Sequence, residues 1–393
     1  METHGSKTTD SHQNNSNSSS EEPISKYPMT RGILELSDKG FGFLRQESKN
    51  YQPSKDDVFV NPNIARELQL REGLLIEGEM VPTNRGGYEV MNITKVNGIK
   101  FEKYKKTTLF NSLTVIDPIE PFHLETDAET VSTRCLDLFC PIGKGTRGLI
   151  VAPPRSGKTV LLKQIAHSIS TNHPEVDLMV LLVDERPEEV TDFKRSTKGQ
   201  VFASSNDEDL KSHVRIPKLV IEIAKRKVEF GKDVVILMDS LTRVARAFNN
   251  YGSNSGRTMS GGLDSRAMEI PRKIFAAARN AEEGGSLTIL ATILVDTGSR
   301  MDELIFQEFK GTGNMELVLD RGMAERRIFP AIDLYKSGTR KEEKLLPADV
   351  LSKVHLLRRE LAGRNPIEAT ESIVRAMQKT KANTELLNML AKG

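Results

Sequence analysis

The chain of 393 residues has no tryptophan, only 2 cysteines and only 7 histidines. Cys135 and Cys140 have no histidine close by in sequence and cannot complete a zinc site, so they read as thiols of a reducing compartment. The histidines form no cluster, which removes the usual pattern for a histidine-ligated metal. Excess charge of one sign is also missing, since 56 basic side chains face 54 acidic ones. Any nucleic-acid site must therefore be a local patch and not a global field. No apolar run approaches the ~18 residues of a membrane span. The Ser/Asn-rich residues 1–20 lack the apolar core of a signal peptide, so a cytoplasmic protein with no membrane partner is expected. Aromatic residues make up just 5% of the chain, so an aromatic cluster stands out.

What remains is a hydrophobic content of 37%, enough for a real core. Residues 1–27 read as a disordered tail with little to bury. Residues 28–99 carry short strand-like pieces (31–36, 40–45, 57–60, 75–82, 88–96) punctuated by Gly, Pro and Asn, as in a small β-barrel of the OB or cold-shock kind. Residues 100–129 look like a connector, with Pro118 and Pro121 breaking regular structure. From 130 to 393 the texture is α/β. Apolar runs at 149–152, 178–183, 234–238 and 287–295 alternate with helical patterns at 160–170, 209–230 and 271–282. Such runs belong in a parallel sheet covered on both faces. Helices at 348–361, 366–379 and 383–391 close the chain, and no internal repeat is visible.

The segment Gly148-Leu-Ile-Val-Ala-Pro-Pro-Arg-Ser-Gly-Lys-Thr159 is an apolar strand turning through small residues into a helix at Val160. That order suits the phosphates of ATP. Backbone amides at Arg155, Ser156 and Gly157 line the turn, Lys158 brings a point charge, and the Thr159 hydroxyl can hold Mg²⁺. The helix N-terminus adds its positive dipole end. Ala152 stands where the strict pattern has Gly, and it is still small. The strand ending in Asp239 has the form of a second nucleotide-binding motif, whose carboxylate would order the Mg²⁺ shell. A third strand ends in Asp184-Glu185-Arg186, where Glu185 can orient the attacking water and Arg186 can meet a phosphate oxygen. Arg327 and Arg340 lie far along the chain and can serve either as transition-state cations lent by a neighbouring subunit or as ordinary ion-pair partners.

Gly40-Phe-Gly-Phe-Leu-Arg45 carries a different chemistry. At the strand period of two, Phe41 and Phe43 share a face that Phe59 can join, while the glycines leave the other face bare. Aromatics on a small barrel make stacking platforms for single-stranded bases. Arg45 can reach a base edge or phosphate, and Asp57 can accept from an exocyclic amine. A bare Phe-x-Phe pair would read as barrel core; the interleaved Gly and adjacent Arg favour a binding face. Gly-rich loops around Arg257 and Arg300 can line a pore that grips a phosphate backbone, or be plain surface loops.

With these motifs in order, the chain from about residue 28 onward resembles the bacterial transcription termination factor Rho family. The resemblance rests on 40–45, 153–159, Asp184–Val190, 235–243, Gly261-Gly262, Glu308–Asn314 and Ser337–Lys341. It implies a RecA-like P-loop motor forming a homohexameric ring, which loads on cytosine-rich single-stranded RNA and moves 5′ to 3′ using ATP. RNA polymerase and elongation factors are the further partners it implies. By the same resemblance, Gly40, Phe41, Gly42, Phe43, Leu44, Arg45, Asp57, Val58, Phe59 and Tyr88 form the primary RNA site. Gly143, Lys144, Gly145, Thr146, Arg147 and Gly148 make a further nucleotide-contacting turn, and Phe329 lies near the base. Arg257, Thr258, Met259, Ser260, Gly261, Gly262 and Arg300 belong to channel loops that hold RNA, and Arg327 and Arg340 are the trans-acting arginines. The chain departs from the family where a small helical bundle usually precedes the barrel. Gly86 and Gly87 replace larger polar residues, and Arg155 and Arg300 stand where Lys is frequent. A rotary ATP synthase catalytic subunit and an RNA-binding scaffold with structural ATP are the competing readings. The first has no need of the Phe41/Phe43/Arg45 face, and the second none of Glu185.

Overall fold

The computed structural model describes residues 1–2, 27–84, 86–252, 262–264 and 266–390. Its first unit contains β1 (Met29–Leu36), β2 (Gly42–Arg45), β3 (Val58–Val60), β4 (Leu75–Pro82), β5 (Tyr88–Val96) and β6 (Ile99–Lys100). The strand order is β3-β2-β1-β4-β5-β6, and pairing of Phe59 with Glu89 closes the sheet into a barrel. Alternation along β2 decides which residues face in. Gly42 and Leu44 are buried, while Phe43 and Arg45 are half-buried on the outer side. Leu34, Leu44, Val58, Val60, Ile76 and Val90 fill the interior. Gly42 is glycine because a Cβ there would sit 2.7 Å from the Leu34 side chain. A short helix, Pro62–Glu67, capped by the Asn61 side chain, has no counterpart in the sequence reading.

The second unit holds β7 (Val115–Ile116), β8 (Arg147–Ala152), β9 (Asp177–Glu185), β10 (Gln200–Ser205), β11 (Val234–Asp239), β12 (Arg279–Ala281), β13 (Ser286–Leu294), β14 (Met315–Val318) and β15 (Gly338–Thr339). The order β10-β9-β11-β13-β8-β14 is parallel throughout, with β15 antiparallel at the edge. Both faces of this sheet are dry. Along β8, Ile150 and Ala152 enter one core with the helix Lys158–Asn172, and Leu149 and Val151 enter the other with the helix Leu210–Glu229. That is why these strands read as unbroken apolar runs. The parallel register brings Ala152, Leu182, Asp239 and Leu294 to one end of the sheet.

The helix expected at 271–282 is shorter than its composition suggests. It spans Glu269–Ala276, and Arg279–Ala281 form β12 instead. Pairing with both β13 and β7 outweighs the helix preference of the Ala-rich segment. The connector likewise contributes β7 and a short helix, Phe101–Tyr104, to the folded body.

The closing helices Ala348–Leu361, Pro366–Gln378 and Asn383–Leu390 pack on the first core. Arg134, 0% exposed, ties them down. Its guanidinium donates to Ala128 O at 3.2 Å, Met377 O at 2.8 Å, Thr380 O at 2.9 Å and Thr380 Oγ1 at 2.8 Å. The barrel is seated on the motor through Gly73, whose φ of 85° and backbone approach to Glu222 leave no room for a Cβ. Arg71 Nη1 to Glu229 Oε1 at 2.6 Å and the stacked rings of Tyr51 and Phe202, 4.9 Å apart, complete the seat.

Candidate nucleotide and nucleic-acid sites

At the end of β8 the chain turns through Arg155 at φ 64° and Gly157 at φ 89° into the helix Lys158–Asn172. A Cβ on Gly157 would point at the Phe329 ring, 3.4 Å away. Phe329 is 46% exposed and, with Arg155, Ser156 and the exposed Val160, borders a cavity of about 330 Å³ beside the loop. An apolar slot next to a phosphate cradle is the shape a nucleotide base requires. Arg327, exposed at φ 62°, lies two positions before that ring and so on the same side of the sheet.

Behind the loop lies a buried acid pair. Lys158 Nζ pairs with Asp239 Oδ1 and stands 3.8 Å from Glu185 Oε1. Thr292 Oγ1 donates to Asp239 Oδ1 at 2.9 Å and so fixes the Asp239 carboxylate. Burial and then the neighbouring Asp239 push the Glu185 carboxyl up to about 7, while Lys158 and Arg243 oppose the shift. Asp239 Oδ2 is buried without a hydrogen-bond partner. Unused acceptor capacity of this kind fits a hard divalent cation and its waters, with the Thr159 hydroxyl in the adjacent helix turn as a further oxygen donor. Asp184, just before Glu185, takes the left-handed φ of 55°, a strained backbone of the kind that gathers at functional sites. Arg186 is exposed at the head of the helix Pro187–Ser196.

Sequence reasoning passed over Arg243 and Thr292. Arg243 Nε lies 3.3 Å from Glu185 Oε1, and its Nη1 reaches Asp184. Its trace in the sequence is the end of the resembling run 235–243, four residues beyond Asp239 on the helix Leu241–Gly252, where no role was given to it.

The turn 143–148 lies apart from the phosphate loop of its own chain. It enters β8 from the end opposite the phosphate loop, about 20 Å away along a six-residue strand. The absent Cβ atoms of Gly143, Gly145 and Gly148 would collide with Leu345, Asn280 and Leu290, so these glycines serve close packing. Thr146 is buried and accepts from Gly143 N at 2.9 Å, and Lys144 pairs with Asp233 at 2.9 Å. None of them lines this chain's own phosphate loop. Arg340 belongs to the same far edge, because β15 pairs Thr339 with Met315 and Met315 pairs with Gly148. Burial and then the charges of Arg279 and Arg340 depress the Arg147 pKa. Three guanidiniums thus gather at one rim.

On the barrel, Phe41, Phe43 and Phe59 form a cluster outside the core, with ring centroids 5.7–5.9 Å apart. Arg45 lies over Phe43 at 5.0 Å and donates to Asp57 Oδ2 at 2.5 Å. Asp57 is buried, and its Oδ1 has no partner. Tyr88, 45% exposed, immediately precedes Glu89, the cross-strand partner of Phe59. Leu44 and Val58 are corrected here: both point into the barrel core, so no side chain of theirs faces a base. Gly40, at φ 82°, forms the turn into β2, which leaves Gly42 as the packing glycine.

Arg257, Thr258, Met259, Ser260 and Gly261 lie outside the described residues. Gly262 is described; its O accepts from Asn249 Nδ2 at 2.9 Å, and its Cα side faces Met301. Arg300, exposed, opens the helix Arg300–Phe309, whose Met301 side chain lies beside Gly262. Both cysteines are buried, and burial pushes their thiols up to about 12. Among the described residues there is no acid, His and Cys group of metal-binding spacing and no helix long and apolar enough to cross a membrane.

Comparison with known proteins gives two family matches. Residues 30–102 match the RNA-binding domain of Rho termination factor, and residues 132–339 match the nucleotide-binding domain of the ATP synthase alpha/beta family. The transcription termination factor Rho of Cereibacter sphaeroides is 51% identical over 364 residues, covering 91% of this chain and 86% of that protein. The Rho of Bacillus subtilis is 51% identical over 362 residues, covering 91% and 84%. The solved ATPase of the type III secretion system of enteropathogenic E. coli superposes with a TM-score of 0.58 at 21% identity, covering 71% of this chain and 72% of that one. That likeness speaks to the RecA-like core alone.

Proposed function

The chain belongs to the Rho family of transcription termination factors, and from that premise we propose how its residues share the work of an RNA-stimulated ATPase that releases nascent transcripts. The observation that carries the reading is the presence on one chain of an outward aromatic platform and a hydrolytic acid set. A rotary synthase subunit has no use for the platform; the likeness to ATP synthase subunits reflects the common motor core.

Bases of cytosine-rich RNA stack on Phe41, Phe43 and Phe59, with Tyr88 extending the surface. Arg45 and the unpartnered Asp57 oxygen read the base edge. Arg300 and the loop ending at Gly262 grip the strand where it passes through a six-membered ring of these chains. In each subunit ATP lies with its base against Phe329 and its phosphates on Arg155–Thr159. Mg²⁺, held by Thr159 and Asp239, would neutralise charge on the outer phosphates. Lys158 places its ammonium between Asp239 and Glu185, where it meets the outer phosphates. Glu185, desolvated and steadied by Arg243, holds the attacking water and takes its proton.

The far-edge position of Arg340 gives it no route to its own phosphate loop. It reaches the nucleotide of the adjoining subunit instead, with Arg147 and the turn 143–148 beside it. Arg327 sits by Phe329 and takes its place at the same subunit junction. The ring tracks 5′ to 3′ toward RNA polymerase in the cytoplasm. ATP turnover by the purified chain with and without oligocytidylate tests the whole reading. Strong stimulation is expected, and equal turnover in both conditions would overturn it.

A further inference from the structure

Arg45, the cation of the stacking platform, is held from two sides by Glu35 and Asp57. Glu35 lies on β1 opposite Phe43, and its side chain is only 12% exposed. It also has a second cation, from the other domain. Arg215, in the second turn of the motor helix Leu210–Glu229, donates Nη1 to both Glu35 oxygens at 3.1 Å. Its Nη2 donates to Tyr51 O and to Gln52 Oε1, each at 2.9 Å. One largely buried carboxylate is therefore shared by a barrel arginine and a motor arginine.

The motor side of that contact leads to Glu185 in a few bonded steps. Gln52 Nε2 donates to Ser212 Oγ at 2.9 Å and to Glu208 Oε2 at 2.6 Å. Glu208 Oε1 accepts from Ser205 N at 3.1 Å. Ser205 pairs with Glu185 across the β10–β9 ladder, and Asn206 N donates to Glu185 O at 2.9 Å. The ladder slips register between Ser204 and Ser205, so the chain of contacts meets it at an irregular point.

We propose that Arg215 is a positioning residue that couples base capture on the barrel to ATP turnover in the motor, by competing with Arg45 for Glu35. The proposal rests on the reading of the barrel as an RNA site and assigns that site its link to the motor. When a base draws Arg45 and Asp57 to itself, Glu35 turns to Arg215 for its counter-charge. The helix Leu210–Glu229 is then drawn to the barrel, and the Gln52–Glu208–Ser205 contacts move with it. Linkage makes the effect reciprocal: with Arg215 on Glu35, Arg45 is easier for RNA to take. Without Arg215, Glu35 keeps Arg45 to itself.

The test uses the full chain with Arg215→Met, oligocytidylate binding by fluorescence anisotropy, and steady-state ATP turnover across an RNA titration. The half-saturating RNA concentration should rise by about fivefold or more. RNA-free turnover and ATP affinity should stay at wild-type values. Adding Glu35→Gln to Arg215→Met removes the competitor for Arg45 and should bring RNA affinity back to about the wild-type value, a rescue that a merely structural contact would not give. Wild-type affinity and stimulation in Arg215→Met would overturn the proposal. So would a parallel fall in RNA-free turnover, or failure of the second substitution to rescue. If RNA neither binds nor stimulates the unsubstituted chain, the functional reading itself falls, which is a different outcome from any of these.

Discussion

On the barrel, Arg45 is neutralised by two carboxylates of its own fold and lies on the ring of Phe43. At the far rim of the motor, Arg147, Arg279 and Arg340 instead donate to the backbone carbonyls of Thr312, Ala277 and Gly311. Carbonyls satisfy hydrogen bonds but leave net charge standing. The barrel platform is thus electrostatically complete within one chain, and the rim is not. A compensated cation must be drawn from its own partners before it serves a ligand, whereas an uncompensated one waits for an anion from outside. In the proposed ring, that anion is the nucleotide of the next subunit.

Arg340→Ala should break this contrast most sharply. Turnover with saturating RNA should fall about 10³-fold or more, the range of an arginine finger, while ATP affinity changes little. A rise in KM with kcat preserved would make Arg340 an ordinary binding residue. Glu185→Gln, which keeps shape and removes the charge, should lower kcat about 10²–10⁴-fold in single-turnover assays while RNA binding persists. Undiminished hydrolysis there would move the catalytic base elsewhere. Phe43→Ala should weaken oligocytidylate binding by ~1–3 kcal/mol, with ATP binding intact. An unchanged RNA titration would return Phe43 to a purely structural role.

The smallest effect concerns the seam between the regions. Burial, then Glu222 and Glu35, push the Glu72 carboxyl from 4.5 up to about 7. A raised carboxyl contributes its full stability below about pH 4.5, and that contribution is lost as pH rises through about 7. Glu72→Gln should therefore raise the thermal midpoint by a few degrees at pH 8 and by almost nothing at pH 4.5. Equal shifts at both pH values would show that Glu72 stays ionised throughout.

The motor was legible because strands buried on both faces, such as β11, carry no polar residue before their terminal acid. The aromatic platform was legible because few aromatics occur elsewhere in the barrel. What escaped notice depends on distance in sequence. Arg243 acts on Glu185 from a helix that shows only its own amphipathic pattern. Arg279 lies on β12, which reads as helix until β7 and β13 pair with it. The packing role of the glycines at 143–148 was not legible, because both uses of glycine, anion cradle and close packing, leave the same mark in a sequence. Leu44 and Val58 were grouped with their neighbours by adjacency, though a strand sends alternate residues to opposite sides.

Arg134 gives the closing helices a property of their own. Its guanidinium is met by carbonyls and a hydroxyl from residues 377–380, more than 240 positions along the chain. Among the described residues, removal of 390 and those before it breaks no buried polar contact until Asn383, which accepts from Arg134 Nε and donates to Arg134 O. A few residues further in, a cation would be stranded in the interior. Trimming should therefore cost stability in two steps, first as Leu387 and Leu386 leave the core and then more steeply as Arg134 loses Asn383 and the 377–380 carbonyls.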